Sequence, residues 1–231
     1  MDITSCPSPN FGKRRNGILP ELIVLHYTAM TSAEVALERL CDPQFEVSAH
    51  YLISTAGTCY QMVDEAARAW HAGAGEWAGF GDVNSRSIGI ELDNDGSHPF
   101  SEAQMLCLEC LIASIQKRWD IGPAGVIGHS DFAPLRKVDP GPRFDWRRLA
   151  MMDQAIWSEQ DTCRGIISED RFITALARIG YPTDAVAAPT LVKAFRLRFR
   201  PWGSGALCQA DLGRAEDLAH RYPVDGRDML T

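Results

Sequence analysis

The pattern of this chain changes kind near residue 150, and that change bounds the folds open to it. Before it, short apolar runs alternate with helical periodicities; after it, helical periodicities alone remain. Residues 21–26 (ELIVLH) form a brief apolar run behind Pro20, the pattern of a strand buried on both faces. Residues 50–54 (HYLIS) and 58–63 (TCYQMV) flank Ala56-Gly57, which reads as a hairpin. In 87–92 (SIGIEL), Ile88, Ile90 and Leu92 fall on one face, and Ser87, Gly89 and Glu91 on the other. A capping-box pattern at 31–34 (TSAE) starts a helix to about Leu40, and another at 101–104 (SEAQ) opens a longer amphipathic helix to about Trp119. Residues 125–130 (GVIGHS) read as a further short strand, and 1–20 as an irregular lead-in. Strands interleaved with helices imply an α/β domain with a mixed central sheet flanked by helices.

Beyond the change, helical patterns at about 168–179, 190–199 and 209–221 are separated by the breakers at 180–182 (GYP) and 201–205 (PWGSG). They imply a small C-terminal three-helix domain. The expected division is therefore 1–158 and 159–231, the second part opening with a connector. A chain of 231 residues has room for both and buries a core without disulfides or metal.

Charge narrows the partners. Thirty acidic residues against 23 basic ones give a net charge of −7, so there is no basic excess to meet a phosphate backbone and nucleic acid is not expected as a partner. The apolar runs are too short to span a bilayer. The first 17 residues lack the apolar core of a secretory signal, and seven scattered cysteines (6, 41, 59, 107, 110, 163, 208) suit reduced thiols. Both point to the cytoplasm, with the periplasm as the alternative. The oligomeric state is not legible.

Among six histidines, His98 in a turn and His220 near a helix end read as ordinary surface residues. His26 and His129 each end a strand pattern, where functional groups gather, and Asp139 follows in a rigid Asp-Pro-Gly turn. Two histidines and a carboxylate, with a fourth position open, match a hydrolytic zinc site; taken singly, each is equally a core or surface residue. Glu91 shares a strand face with Gly89, whose missing side chain leaves room. It reads either as a solvated carboxylate or as a general base. Lys137 reads as an exposed lysine or as a stabiliser of a developing oxyanion.

The segments VLHYTA (24–29), VSAHYLIS (47–54), GTCYQMVDE (57–65), AWHAG (69–73), NSRSIGIEL (84–92) and GHSDFAPLRKVDPGPRFDW (128–146) resemble, in order, those of the zinc-dependent N-acetylmuramoyl-L-alanine amidases. That family shares its fold with T7-type lysozyme and peptidoglycan recognition proteins. The resemblance implies that His26, His129 and Asp139 bind zinc, that Glu91 and Lys137 are catalytic, that Trp70, His71 and Asn84 line a substrate cleft, and that His50 is a supporting residue. It makes 1–158 the catalytic domain. It implies hydrolysis of the bond between N-acetylmuramic acid, in its 1,6-anhydro form, and L-alanine in muropeptides during cell-wall recycling. A periplasmic amidase acting on intact peptidoglycan and a non-catalytic recognition module are the alternatives. Residues 172–182 and 191–201 resemble a three-helix peptidoglycan-binding domain, or else form a helical cap.

Two motifs are discounted. Cys107 and Cys110 are formally CxxC but lie within a helix, where they read as core thiols on one face. The basic run 193–200 (KAFRLRFR) reads as a solvated face opposite a buried apolar stripe.

Overall fold

The computed structural model describes residues 2–184 and 186–224; residues 225–231, the end of the C-terminal segment as read from the sequence, lie outside the described residues. Its strands are β1 (Ile3–Ser5), β2 (Phe11–Lys13), β3 (Leu22–Tyr27), β4 (Tyr51–Ile53), β5 (Cys59–Gln61), β6 (Ala67–Ala69), β7 (Ser87–Leu92) and β8 (Val126–Gly128). Its α-helices are α1 (Ala33–Cys41), α2 (Val83–Arg86), α3 (Glu102–Trp119), α4 (His129–Phe132), α5 (Trp146–Met151), α6 (Glu169–Ile179), α7 (Ala188–Phe199) and α8 (Gln209–Arg221). Six strands form the central sheet in the order β1-β5-β4-β7-β3-β8, parallel except for the β4–β5 hairpin. β2 and β6 form a separate antiparallel pair.

Alternation along β3 and β7 assigns two apolar faces to different layers. Ile23, Leu25, Ile88, Ile90 and Leu92 turn to α3, which offers Leu108, Leu111, Ile112 and Ile115. On the opposite face, Leu52 of β4 lies under Ala33, Ala36 and Leu40 of α1. At the other end of that face, Leu22, Val24 and Ile127 share one cluster with Phe172 and Leu176 of α6, Leu191 and Phe195 of α7, and Leu212 of α8. Between α1 and this cluster the sheet face carries polar residues. Serine caps begin α1, α3 and α6: Ser32, Ser101 and Ser168 accept from the backbone N–H of Val35, Gln104 and Arg171, each worth about 1 kcal/mol.

Several expectations are corrected. The lead-in is not irregular: β1 extends the sheet beside β5, and β2 pairs with β6. Both are three residues long and largely exposed, so no apolar pattern announces them. The cap of α1 is Ser32 rather than Thr31. β8 stops at Gly128, and His129 opens the short helix α4. Cys110 is exposed and Cys107 half-buried, because the buried stripe of α3 runs through Met105, Leu108, Leu111, Ile112 and Ile115 and passes beside them. The basic run on α7 is not a solvated face: Arg196 and Arg198 are buried, paired with Asp211 and Asp131.

Candidate metal centre

Parallel strands place their carboxyl ends, and the loops that follow, along one edge of a sheet, which is where ligands bind in open α/β folds. His26 near the end of β3 and Glu91 near the end of β7 are direct register partners, so their side chains leave the same face side by side. β8 lies on the other flank of β3, and His129 follows it at once. Asp139 comes from the loop after α4, tied back by the Ser130 N–H donating to its carbonyl at 3.0 Å.

These elements bring three ligand atoms together. His26 Nδ1 lies 2.9 Å from His129 Nδ1 and 2.9 Å from Asp139 Oδ2, and His129 Nδ1 is 3.0 Å from the same oxygen. All three residues are buried, and among the described residues they form a cluster able to hold a metal ion. The outer nitrogens decide which atoms carry protons. His129 Nε2 faces the Ala72 carbonyl at 2.9 Å, so it must donate there. Ser87 Oγ donates to the Val83 carbonyl at 2.5 Å and so accepts from His71 Nε2, 3.2 Å away. His71 Nδ1 is then an acceptor, and His26 Nε2, 3.0 Å from it, is the donor. With the rings neutral, both Nδ1 lone pairs and a carboxylate oxygen converge with no proton among them. That convergence calls for a cation, and its spacing is close to the roughly 3.3 Å between ligand atoms around a tetrahedral ion. Burial and the neighbouring His26 push the His129 pKa down to about 4, which keeps that ring neutral. Although burial works to raise it, the Asp139 carboxyl is held well below the usual range by the two imidazole rings beside it, so it stands ionised.

Glu91 stands beside this cluster. Its Oε2 is shielded from solvent and has no hydrogen-bond partner, and burial raises its pKa. A cleft lined by Thr28, Arg39, Trp70, Glu91 and Lys137 opens over it. Trp70 and Lys137 therefore share one cleft with Glu91. His71 borders the cleft too, but both of its ring nitrogens are engaged, toward His26 and Ser87. It also occupies the room left by Gly89: a Cβ built there would stand 2.4 Å from His71 Cγ. Asn84 is buried behind the ligands, its Oδ1 accepting from the backbone N–H groups of His71 and Ala72 at 3.0 and 2.7 Å. It holds the carbonyl on which His129 rests. His50 accepts from the Gly89 N–H at 2.9 Å, and burial pushes its pKa down to about 3.

Two supports are absent from the sequence reading. Arg14, in the lead-in, donates to the carbonyls of Ser85, Ser87 and Glu65 and ties the start of β7 in place. Asp131 accepts from the Gly128 N–H at 2.8 Å and so caps α4. The HSD triplet marks Asp131 as an N3 acid, but a helix this short has no periodicity to reveal it.

The sheet, the convergence of two nitrogens and an oxygen, and the adjacent unpartnered carboxylate have the form of a metallohydrolase site. The family model described as N-acetylmuramoyl-L-alanine amidase matches residues 15–142. The chain belongs to that family of amide hydrolases. The N-acetylmuramoyl-L-alanine amidase AmiD of Escherichia coli is 34% identical over 235 aligned positions, covering 89% of this chain and 84% of the relative. The 1,6-anhydro-N-acetylmuramyl-L-alanine amidase AmpD of Haemophilus influenzae is 35% identical over 165 positions, 64% of this chain and 90% of its own length. A solved complex of E. coli AmiD with the substrate anhydro-N-acetylmuramic acid-L-Ala-D-gamma-Glu-L-Lys superposes with a TM-score of 0.79 at 31% identity, covering 91% of this chain and 93% of that one.

Proposed function

We propose that this protein hydrolyses the amide between 1,6-anhydro-N-acetylmuramic acid and L-alanine in soluble muropeptides, as a zinc enzyme of cell-wall recycling in the cytoplasm. The observation that carries the reading is the convergence of His26 Nδ1, His129 Nδ1 and Asp139 Oδ2 beside Glu91. Zinc, when held by these three, supplies a Lewis acid that polarises the amide carbonyl and lowers the pKa of a water molecule. Glu91, with an unpartnered oxygen and a carboxylate made more basic by burial, takes the proton from the attacking water and delivers it to the leaving amine. Lys137 sets a positive charge on the same cleft, where the carbonyl oxygen becomes negative. Trp70 offers an apolar wall for the sugar or the stem peptide.

The AmiD complex and the name of the AmpD relative support the anhydro sugar. Seven cysteines, odd in number and scattered along the chain, agree with a reducing compartment, and no helix among the described residues is long and apolar enough to cross a membrane. The test is to offer the purified protein soluble anhydro-muropeptides and intact sacculi side by side, with metal analysis of the unchelated protein. Free stem peptide from the soluble substrate, with one zinc per chain, is expected. Release from sacculi at a comparable rate would move the enzyme to the wall, and protein that cleaves fully without zinc would remove the metal from the mechanism.

A further inference from the structure

The segment carrying His129 and Asp139 is gripped from behind by the C-terminal helices. Asp131, two residues after His129, is fully buried. Besides capping α4, its Oδ2 accepts from Arg198 Nη1 of α7 at 2.8 Å, and its Oδ1 from the Tyr181 hydroxyl, just after α6, at 2.6 Å. Arg198 also donates from Nη2 to the Val126 carbonyl of β8 at 2.9 Å and lies 4.3 Å from the centre of the Trp146 ring. One guanidinium therefore spans the strand before His129, the helix that carries it and the helix after Asp139. The Ser130-to-Asp139 hydrogen bond makes that segment a single body.

As a source of stability this arrangement is poor. A buried ion pair must repay the desolvation of both charges, and Arg198 Nε is left without a partner. Phe132, on the same short helix, packs with Phe172, Leu176 and Phe195, so apolar contact already joins the two parts. What the pair adds is orientation.

We propose that Arg198 and Tyr181 are positioning residues for the metal centre. By fixing Asp131 they set the angle at which His129, and through Ser130 also Asp139, faces His26, so the helical segment completes the hydrolytic site. This rests on the zinc reading above. Arg196 is an internal control: it too is buried and ion-paired, but with Asp211 inside the helical segment, where it also donates to the carbonyls of Gly205 and Ala206.

The experiment compares R198M, Y181F, R198K and R196M in the full chain. It measures Zn2+ affinity by chelator competition, the visible spectrum of the Co2+-substituted protein, thermal unfolding, and kcat and KM. R198M and Y181F are expected to bind Zn2+ about 10–100-fold more weakly, with altered Co2+ bands and a fall in kcat at little change in KM. R198K, which keeps the charge but loses the planar fork, should fall between. R196M should lower the unfolding temperature and leave metal affinity and spectrum untouched. If R198M and Y181F lose thermal stability yet hold Zn2+ and Co2+ as the wild type does, the contact is structural and the proposal is wrong. Should R198M fail to fold, Y181F, which removes one hydroxyl, decides alone. A wild-type chain that takes up no Zn2+ would overturn the metal reading itself, a failure seen before any variant is compared.

Discussion

Gly89 shows how a single residue can be legible in position and misread in purpose. On β7 it faces the same way as Glu91, and the absence of a side chain is readable as space; the ring of His71 fills that space. The sequence marks His71 only as part of AWHAG, because its partners, His26 and Ser87, lie 45 and 16 residues away and meet it through the sheet. Gly89→Ala should therefore displace His71, leave His26 Nε2–H without its acceptor, and weaken zinc binding. The overpacking is expected to cost about 1–3 kcal/mol, read from denaturant unfolding beside zinc competition. Wild-type zinc affinity in this variant would mean that His71 does not orient His26. At Glu91 the expectation is of another kind. Glu91→Gln keeps shape and burial but cannot take a proton, so it should retain fold and zinc while kcat falls by roughly 10²–10⁴-fold. Near-normal turnover would assign the proton to another group, and loss of zinc would make Glu91 structural.

At the scale of elements, what is legible follows from how local the signal is. β3, β7 and α3 have their periodicities and caps within a few residues, and they form where the pattern places them. α7 has the right extent, but its charge pattern misleads, since a basic run is normally solvated unless partners come from elsewhere in the chain. Here Asp211 supplies one, accepting from Arg196 at 2.9 Å and from Arg200 at 2.8 Å, and Asp131, far back in the sequence, supplies the other. The Asp211 pair makes a pH prediction. Although burial opposes it, hydrogen bonds from Arg196, Arg200 and Cys208 hold its pKa down at about 2, below the roughly 3.9 of an unfolded aspartate. The unfolded chain then binds the proton first on acidification, so the stabilisation is complete above about pH 4 and is lost as pH falls through about 2. The size is on the order of 2 kcal/mol. Asp211→Asn should be less stable than wild type at neutral pH, and the difference should shrink steadily between pH 4 and 2 in urea titrations. A constant difference across that range would show that the carboxylate charge is not what Arg196 and Arg200 hold.

For the whole molecule, the change of pattern near residue 150 marks where strands end, and that much is readable because periodicity is local. Whether the two parts stand apart is a question of tertiary burial that periodicity does not reach. Leu22, Val24, Trp77, Ile127 and Phe132 from the first part share a single cluster with Phe172, Leu176, Leu191, Phe195 and Leu212 from the second. The approach is close: Gly180, at φ +119° at the end of α6, lies so near Trp77 that a Cβ there would stand 2.8 Å from the indole. The Ala78 N–H also donates to the Gly180 carbonyl at 2.8 Å. The AmpD relative matches 64% of this chain over 90% of its own length, so a related amidase does without a counterpart to much of the remainder. The requirement for the helices thus lies in this chain's own apolar surface rather than in the sheet architecture. A fragment of residues 1–158 would expose five large side chains now buried. At about 1.5–3 kcal/mol each, the loss approaches the whole stability of a domain, roughly 5–15 kcal/mol. The fragment is expected to be insoluble or to lack a cooperative thermal transition, and full-length protein carrying Phe132→Ser should fall between the two. A monomeric 1–158 fragment that unfolds cooperatively and binds zinc as tightly as the full chain would make the helical segment an independent appendage, and would also remove the ground for treating Arg198 and Tyr181 as part of the site.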